Sequence, residues 1–329
     1  MKKIPLLACL CLVFLASCKD DKKTNDTKET QIGVVKAKKR ALVPAINADS
    51  VFQFVEKQLS FGTRVPGSAG HRKQKDWMVN KAKSYGLQVK VQEFTVNFLG
   101  KTNVPAYNII ASLNPDHKTR VILAAHWDTR LIAEKDPDPS KQKLPIMGAD
   151  DGGSGVAALF EIMRVLSEKN IDLGVDFIFF DAEDQGNEGS DWCLGAQYWS
   201  KNPHVDGYKA DWGILLDLVG AKGARFHKED ISMVFAGSYV DKVWKLAQNM
   251  GFGKYFVNEK IGSIQDDHYY VNSIAKIPMI DIINTLPSGN FDVYHHTHKD
   301  DLPIIDKEVL RVVTQVTIAA LYRYSDGSF

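Results

Sequence analysis

The stretch FFDAEDQGNEGSDW, residues 179–192, places Asp181, Glu183 and Asp184 directly after an apolar run. Three carboxylates in four consecutive positions repel one another unless a positive charge lies among them. A bound cation is often the largest local charge in such a site, and it would supply the missing positive charge. The stretch therefore indicates a metal-binding site at the end of a buried strand.

Acidic and imidazole side chains also follow other apolar runs. They are His126 and Asp128 in ILAAHWDT, Asp150 and Asp151 in MGADDGGSG, Asp217 in ILLDLVGA, and His295, His296 and His298 in NFDVYHHTHKDD. One such aspartate is more often a loop or helix-cap residue than a functional one, but several from separate runs suggest convergence. Carboxylates and imidazoles bind Zn²⁺, which keeps one coordination position open when it is catalytic. The residue types therefore favour a catalytic zinc site.

The elements that would position these residues alternate between apolar runs and amphipathic segments. Strands are predicted at 89–98, 107–113, 120–128, 175–181, 212–219, 231–237 and 277–283, and helices at 51–62, 71–86, 156–168, 240–251 and 307–325. This alternation predicts an α/β fold, a single globular domain with a mostly parallel central mixed β-sheet flanked by helices. Sites in such sheets gather at the carboxyl ends of the strands, where the candidate residues fall.

The composition is that of an ordinary globular chain. Its 329 residues carry a net charge of +1, with 44% hydrophobic and 25% charged residues. A strongly basic surface is the usual signature of nucleic-acid binding, and nothing in this balance indicates such a partner. No apolar run of transmembrane length follows the leader, so no membrane-spanning helix is expected in the mature chain.

The N-terminus reads as an export signal. Residues 1–18 have a basic start, an apolar run and the sequence LASC, which resembles the lipobox of bacterial lipoproteins. We expect a lipid on Cys18, a disordered tether over 19–41 and a catalytic domain over 42–329, on an exported protein anchored to a bacterial membrane at its periplasmic or outer surface. A plain signal peptide is the alternative. Cys193 is the only cysteine outside the leader, so the mature chain has no intramolecular disulfide.

Several motifs together resemble the zinc aminopeptidase and glutaminyl-cyclase superfamily. They are His-x-Asp at His126, Gly-Ala-x-Asp at Asp151, Phe-Asp-x-Glu-acid at Glu183, Leu-Asp at Asp217 and His-Thr at His296, in the family's order along nearly the whole mature chain. The segments LLDLVGA and IQDDHYYV, with Trp192 after the acidic turn, are similar to the animal-type glutaminyl cyclases, the glutaminyl-peptide cyclotransferases.

The resemblance implies a set of site residues. The zinc ligands would be Asp151, Asp184 and His296, with one Zn²⁺ per chain. Glu183 would be the catalytic general acid and base, and Asp217 and Asp266 would share its hydrogen-bond network. For substrate binding, the resemblance implies a pocket wall at Trp192 and a different pocket rim at His295, where cyclases have a tryptophan.

A departure from the family pattern concerns Asp184. The family usually has glutamate at this position, so the loop must compensate for a side chain shorter by one C–C bond, about 1.5 Å. The glycines that follow in GNEG would allow the backbone to approach the metal more closely.

The resemblance implies a reaction and leaves two alternatives open. A glutaminyl cyclase converts N-terminal glutamine of peptides or exported proteins into pyroglutamate and releases ammonia; we expect a monomer. In a dizinc aminopeptidase, His126 and Asp217 would instead hold a second zinc, with Asp151 bridging the two ions. A non-catalytic binding protein on the same fold is the third hypothesis.

Overall fold

A six-stranded mixed sheet forms the centre of the computed structural model, which describes residues 40–329. Its order is β1-β2-β4-β3-β5-β8, and its strands are β1 (Gln88–Phe98), β2 (Lys101–Leu113), β3 (Arg120–His126), β4 (Gly174–Phe180), β5 (Trp212–Asp217) and β8 (Met279–Ile283). The four strands β4, β3, β5 and β8 are parallel, and the β1–β2 hairpin joins antiparallel at one edge. The predicted fold class is therefore confirmed.

Helices cover both faces of this sheet. They are α1 (Ala48–Leu59), α2 (Ala69–Ser84), α3 (Gly153–Glu168), α4 (Leu194–Lys201), α5 (Asp230–Asn249), α6 (Asp267–Tyr270) and α7 (Lys307–Ser325), and a small parallel pair β6 (Phe226–Glu229) and β7 (Phe256–Ile261) lies apart from the main sheet. Capping residues begin several helices; the Asp306 carboxylate, for example, accepts the amides of the first turn of α7.

The packing of the core explains why the central strands are mostly apolar on both faces. Val121 and Leu123 of β3 pack in the cluster that contains α1, α3 and α7, whereas Ile122 and Ala124 pack on the opposite face with α4. Successive side chains of a strand point to opposite faces. Because both faces are covered, every residue of the strand is apolar or buried, which is the pattern that predicted it.

One predicted strand is wrong. Residues 231–237 form the first turns of α5, where Glu229 accepts the amide hydrogens of Ile231 and Ser232 as the cap. The buried residues Ser232, Ala236, Val240 and Val243 recur at helical spacing, while Val234 and Phe235 are 77% and 43% exposed. A short apolar run does not distinguish a strand from a half-buried helix, which explains the error.

Some N-terminal predictions cannot be compared with the fold. The leader 1–18 and nearly all of the tether 19–41 lie outside the described residues. Within residues 40–329, no helix combines the length and the apolar character needed to cross a membrane.

The topology decides where the candidate residues meet. The parallel strands β3, β4, β5 and β8 point the same way, so their carboxyl ends lie along one edge of the sheet. The segments that leave these ends carry the predicted acids and histidines.

Candidate active site

A cavity of about 360 Å³ opens at this edge, and all of the predicted site residues line it. They are Asp151, Glu183, Asp184, Trp192, Asp217, Asp266, His295 and His296, joined by Glu134, Lys135, Gln265 and Phe291 among others. The structure thus brings together side chains that are separated by up to about 145 positions in the chain.

The ring of His296 approaches both Asp184 and Asp151 in this cavity. His296 Nε2 lies 3.0 Å from Asp184 Oδ1 and 3.9 Å from Asp151 Oδ2. The Asp184 carboxylate is buried, and its second oxygen has no hydrogen-bond partner. Burial raises the pKa of Asp184 and the nearby Asp151 adds to this effect, whereas His296 and Arg130 oppose it. Two aspartates and one neutral imidazole would neutralise one Zn²⁺, so this group fits the ion.

The histidines His295 and His296 differ in which ring nitrogen is available to a metal, because each contacts a different side chain. His296 Nδ1 lies 2.6 Å from Glu134 Oε1, so the ring donates there and Nε2 is the atom left for a metal. Burial would lower the pKa of His296, but Asp184 and other acids raise it to about 9, so a metal bound at Nε2 would displace a proton. The Lys135 ammonium donates to His295 Nδ1 at 2.7 Å, which leaves the ring proton of His295 on Nε2. The geometry therefore favours His296 over His295 as a ligand, although the donor atoms of both lie near Asp151.

The three carboxylates of the acidic turn after β4 lie in different surroundings. Asp181 accepts hydrogen bonds from His71 and the Tyr107 amide at 2.8 and 2.6 Å, so it is a structural residue. Ala182 has a left-handed backbone with φ 54°, which turns the chain sharply between Asp181 and Glu183. Asp128 accepts the amides of Glu183 and Asp184 at 3.0 and 3.2 Å, and this fixes the turn.

Arg130 also supports the loop that follows β4. Its Nη1 donates to the carbonyls of Asp184 and Gly186 at 3.0 Å, and its guanidinium lies 4.6 Å from the Trp192 ring centre. A Cβ on Gly186 would lie 2.2 Å from the Trp192 ring, so only glycine allows this approach. Trp192 also stacks on His296, with ring centres 6.0 Å apart. Trp192 is thereby held beside the metal ligands.

Glu183 lies in an acidic and largely buried environment. Burial raises its pKa well above the ordinary value; the nearby His126 opposes this, and Asp266 and Asp184 add to it. Burial and Asp217 raise the pKa of Asp266 to about 7. The Cys193 thiol donates to Glu183 Oε1 at 3.3 Å, and the Cys193 amide donates to the Glu183 carbonyl at 2.9 Å. Burial and the neighbouring acids therefore favour the protonated form of the Glu183 carboxyl.

A second donor group adjoins the first. His126 Nε2 lies 3.0 Å from Asp217 Oδ1 and 3.1 Å from Asp151 Oδ1. Burial would lower the pKa of His126, but Asp217 and the other acids raise it well above its ordinary value. These three residues have the donor types for a second metal ion, with Asp151 shared between the two groups.

Two other candidates have structural partners. The Asp150 carboxylate accepts from the Tyr294 hydroxyl and from the Gly220 amide, both at 2.6 Å. His298 pairs with Asp136 at 2.9 Å instead of facing the metal ligands.

Sequence reasoning missed Glu134, Arg130 and Cys193. Arg130 and Glu134 are joined by an ion pair of 2.7 Å. Both lie in the irregular loop that follows β3, and their opposite charges at a spacing of four residues were the only signal available. Cys193 was noted only for its lack of a disulfide partner. Its place beside Glu183 depends on the left-handed backbone, φ 57°, at the start of α4.

We predict that Asp184→Glu will be tolerated poorly. The Asp184 side chain is packed between His296 and Arg130, so an arm longer by about 1.5 Å has no room at the present loop position. We expect zinc affinity to fall by about tenfold or more, equivalent to roughly 1.4 kcal/mol. Zinc titration of the chelator-stripped protein measures the change. Asp191→Glu, the same change at an exposed acid of this loop, is the control; wild-type affinity in Asp184→Glu would show that the loop can retract.

Comparison with known proteins agrees with this geometry. The model of peptidase family M28 matches residues 108–321. A solved glutaminyl cyclase from Tannerella forsythia is 43% identical with a TM-score of 0.83, covering 85% of this chain and 99% of that one. A solved Zn-dependent exopeptidase from Parabacteroides distasonis is 45% identical with the same TM-score, covering 85% and 99%.

Curated relatives are more distant. Glutaminyl-peptide cyclotransferase of Drosophila melanogaster is 28% identical over 173 residues, which span 50% of this chain and 46% of the fly protein. The chain matches less than two thirds of the length of the first such relatives. The resemblance found in the sequence motifs is confirmed, and, since the family model covers more than half of its residues, the chain belongs to peptidase family M28.

Proposed function

We propose that this protein is a zinc-dependent glutaminyl cyclase that converts N-terminal glutamine of peptides into pyroglutamate. The observation that carries the proposal is the convergence of Glu183 and three zinc-type ligands in one small pocket. Similarity to a solved glutaminyl cyclase over 99% of that chain supports the choice of reaction.

The proposed ligands of the single catalytic zinc are Asp151, Asp184 and His296. The orphaned Asp184 oxygen and the His296 tautomer set by Glu134 support this assignment. A zinc ion bound there would polarise the γ-carbonyl of the substrate glutamine and stabilise the negative charge that develops on its oxygen.

Glu183 moves the proton in the proposed reaction. The substrate's α-amino nitrogen attacks the γ-carbon of its own side-chain amide, forming the ring N–C bond and breaking the bond to the amide nitrogen. Glu183 accepts the proton that the attacking nitrogen loses and returns it to the leaving nitrogen, which departs as ammonia. No water is consumed. The raised pKa of Glu183 suits a group that must both accept and return a proton.

Asp217 and Asp266 adjust Glu183 by their charge. The Asp266 carboxyl raises the pKa of Glu183, and Asp217 in turn raises that of Asp266. Because these acids lie so close, they titrate jointly. Their proposed role is to keep a proton available at Glu183.

The walls of the pocket suit a small uncharged side chain. Trp192 and His295 both stack with the ring of His296, with ring centres 6.0 and 3.7 Å from it. Phe291 stacks on His295 at 4.2 Å and extends this apolar rim. We assign Trp192 and His295 to substrate binding, with His295 and Phe291 together replacing the second aromatic wall.

Aminopeptidase activity is the alternative function, and one feature of the site supports it. His126, Asp151 and Asp217 lie close enough to bind a second metal ion, and one similar structure is described as a Zn-dependent exopeptidase. The two reactions differ in their products. A glutamine-initiated peptide incubated with the zinc-loaded protein should lose the mass of ammonia, whereas release of free glutamine would establish the aminopeptidase instead.

Asp217→Ala tests the number of catalytic metal ions. In a cyclase, zinc content should equal that of the wild type, because Asp217 acts only through the carboxyl network. In a dizinc enzyme, the variant should lose about one zinc per chain, since a divalent ion left with fewer ligands is released. Elemental analysis after dialysis measures this, with Asp211→Ala, an exposed acid before β5, as the control.

The cellular setting is part of the proposal. The export signal and LASC sequence support a lipid-anchored protein of a bacterial envelope, acting on exported proteins with N-terminal glutamine. Labelling with a radioactive fatty acid, lost in Cys18→Ala, tests the anchor.

A further inference from the structure

A second group of buried titratable residues extends behind the substrate pocket, and two of its three members, His268 and Asp281, have no part in the proposed reaction. It consists of Asp266, His268 and Asp281, whose donor atoms lie within 4.8 Å of one another. Asp281 is in the middle of β8, His268 is in α6, and Asp266 caps α6. All three are buried, with exposed fractions of 4%, 0% and 1% in order of number.

The polar atoms of this group lack partners. Both carboxylate oxygens of Asp281, one oxygen of Asp266 and Nδ1 of His268 have no hydrogen-bond partner in the described part of the chain. His268 Nδ1 lies 3.8 Å from Asp281 Oδ2, which is too long for a hydrogen bond. Buried polar atoms are almost always paired, and a buried unpaired carboxylate is especially costly. Either these groups are neutral, or they face a partner that the protein chain itself does not supply.

The arrangement of His268 indicates what that partner is. His268 Nε2 lies 3.1 Å from Glu229 Oε1, and Glu229 also accepts the amides of Ile231 and Ser232. With Nε2 donating to Glu229, the neutral ring has its lone pair on Nδ1, the atom that faces Asp281. A histidine that donates to a carboxylate through one nitrogen and binds a metal through the other is a common arrangement.

The pocket has the same arrangement. There, His296 pairs with Glu134 through one nitrogen and faces Asp184 and Asp151 through the other. Both groups contain two aspartates and one histidine supported by a glutamate. In each, two carboxylates would balance the charge of one divalent cation.

We propose that Asp266, His268 and Asp281 bind a second divalent cation of the Zn²⁺ type, with a structural role. The ion joins β8 to α6 and to the segment before it, and so holds Asp266 at the wall of the pocket. It would offset the charge of Asp266, but burial is the largest cause of the raised pKa of Glu183 and does not depend on that charge. This site differs from the potential second catalytic position, which would use His126, Asp151 and Asp217.

Zinc content of matched variants tests the proposal. The full chain is stripped with a chelator, reloaded with Zn²⁺ alone, dialysed and analysed for zinc per chain. We expect Asp281→Asn to lose one equivalent relative to the wild type and to retain the zinc that Asp184→Ala loses. Asp176→Asn is the control, because Asp176 is a buried acid of β4 that is fully paired with Arg120, Ser112 and Tyr208. Equal zinc content in the wild type and Asp281→Asn would overturn the proposal.

Thermal unfolding supplies a second measurement, because the difference in stability between the wild type and Asp281→Asn should depend on whether zinc is present. In zinc, the wild type should unfold at a higher temperature than Asp281→Asn, because the ion binds only the folded chain. In chelator, the order should reverse or the difference should vanish, because the amide removes an unpaired buried charge. If Asp281→Asn stays the more stable protein in zinc, the group retains protons or water instead of a cation, and the proposal fails.

Anomalous diffraction at the zinc edge decides the question without any variant. A wild-type crystal grown with Zn²⁺ should show a peak between Asp266, His268 and Asp281 in addition to the peak in the pocket. A map with density at the pocket ligands alone would contradict the second site while leaving the proposed cyclase reaction intact. Conversely, a failed peptide assay would contradict the cyclase reaction, and the peak expected at the second site would be unaffected.

Discussion

Glu183→Gln is expected to lower the turnover of a glutamine-initiated peptide by about 10²–10⁴-fold, the usual contribution of a general acid and base. The zinc content should stay at the wild-type value, because Glu183 is not among the proposed ligands. The amide has nearly the same shape as the carboxyl, so it preserves the contact with Cys193 but cannot accept the proton from the substrate amine.

The expected effect on binding follows from the same geometry. Glu183 acts on the proton that moves during the reaction, so its loss should appear in kcat while KM changes little. Release of ammonia under saturating peptide measures kcat, and elemental analysis of the same sample measures zinc. Glu188→Gln, at an exposed acid of the same loop, should retain wild-type activity. Full activity in Glu183→Gln would refute the proton-transfer role.

His296→Ala is expected to cause the second large loss, this time through the metal. Mutation of a residue that merely supports a metal ligand costs about 10–100-fold in affinity, so removal of the ligand itself should cost more than about 100-fold. The protein should then contain about one zinc fewer per chain and show almost no turnover in metal-depleted buffer.

The adjacent histidine provides the matched control. The Lys135 ammonium occupies the lone pair of His295 Nδ1, and the ring packs between His296 and Phe291. His295→Ala should therefore keep its zinc and raise KM by removing part of the pocket rim. If His295→Ala loses zinc while His296→Ala retains it, the assignment of the two histidines must be exchanged.

Much of the fold could be predicted because buried strands and buried helix faces are recognisable from the pattern of their apolar residues. The strands β3, β4, β5 and β8 are buried on both faces and mostly apolar, and α7 has the bounds that its helical periodicity predicts. The failure at 231–237 arose where one side of a short apolar run is exposed. Local composition does not tell that case from a strand, and only the Glu229 cap and the packing of α5 decide it.

The sequence alone determined which residues could bind a metal and the edge of the sheet at which they would meet. Residue type specifies chemistry, and the parallel topology brings the strand ends together. The tertiary structure decided which atom of each residue is available. Glu134 directs the lone pair of His296, the turn at Ala182 separates Asp181, Glu183 and Asp184, and Arg130 holds the loop around Asp184. Hydrogen bonds between distant segments set tautomers, charges and side-chain directions, and no local pattern in the chain encodes them.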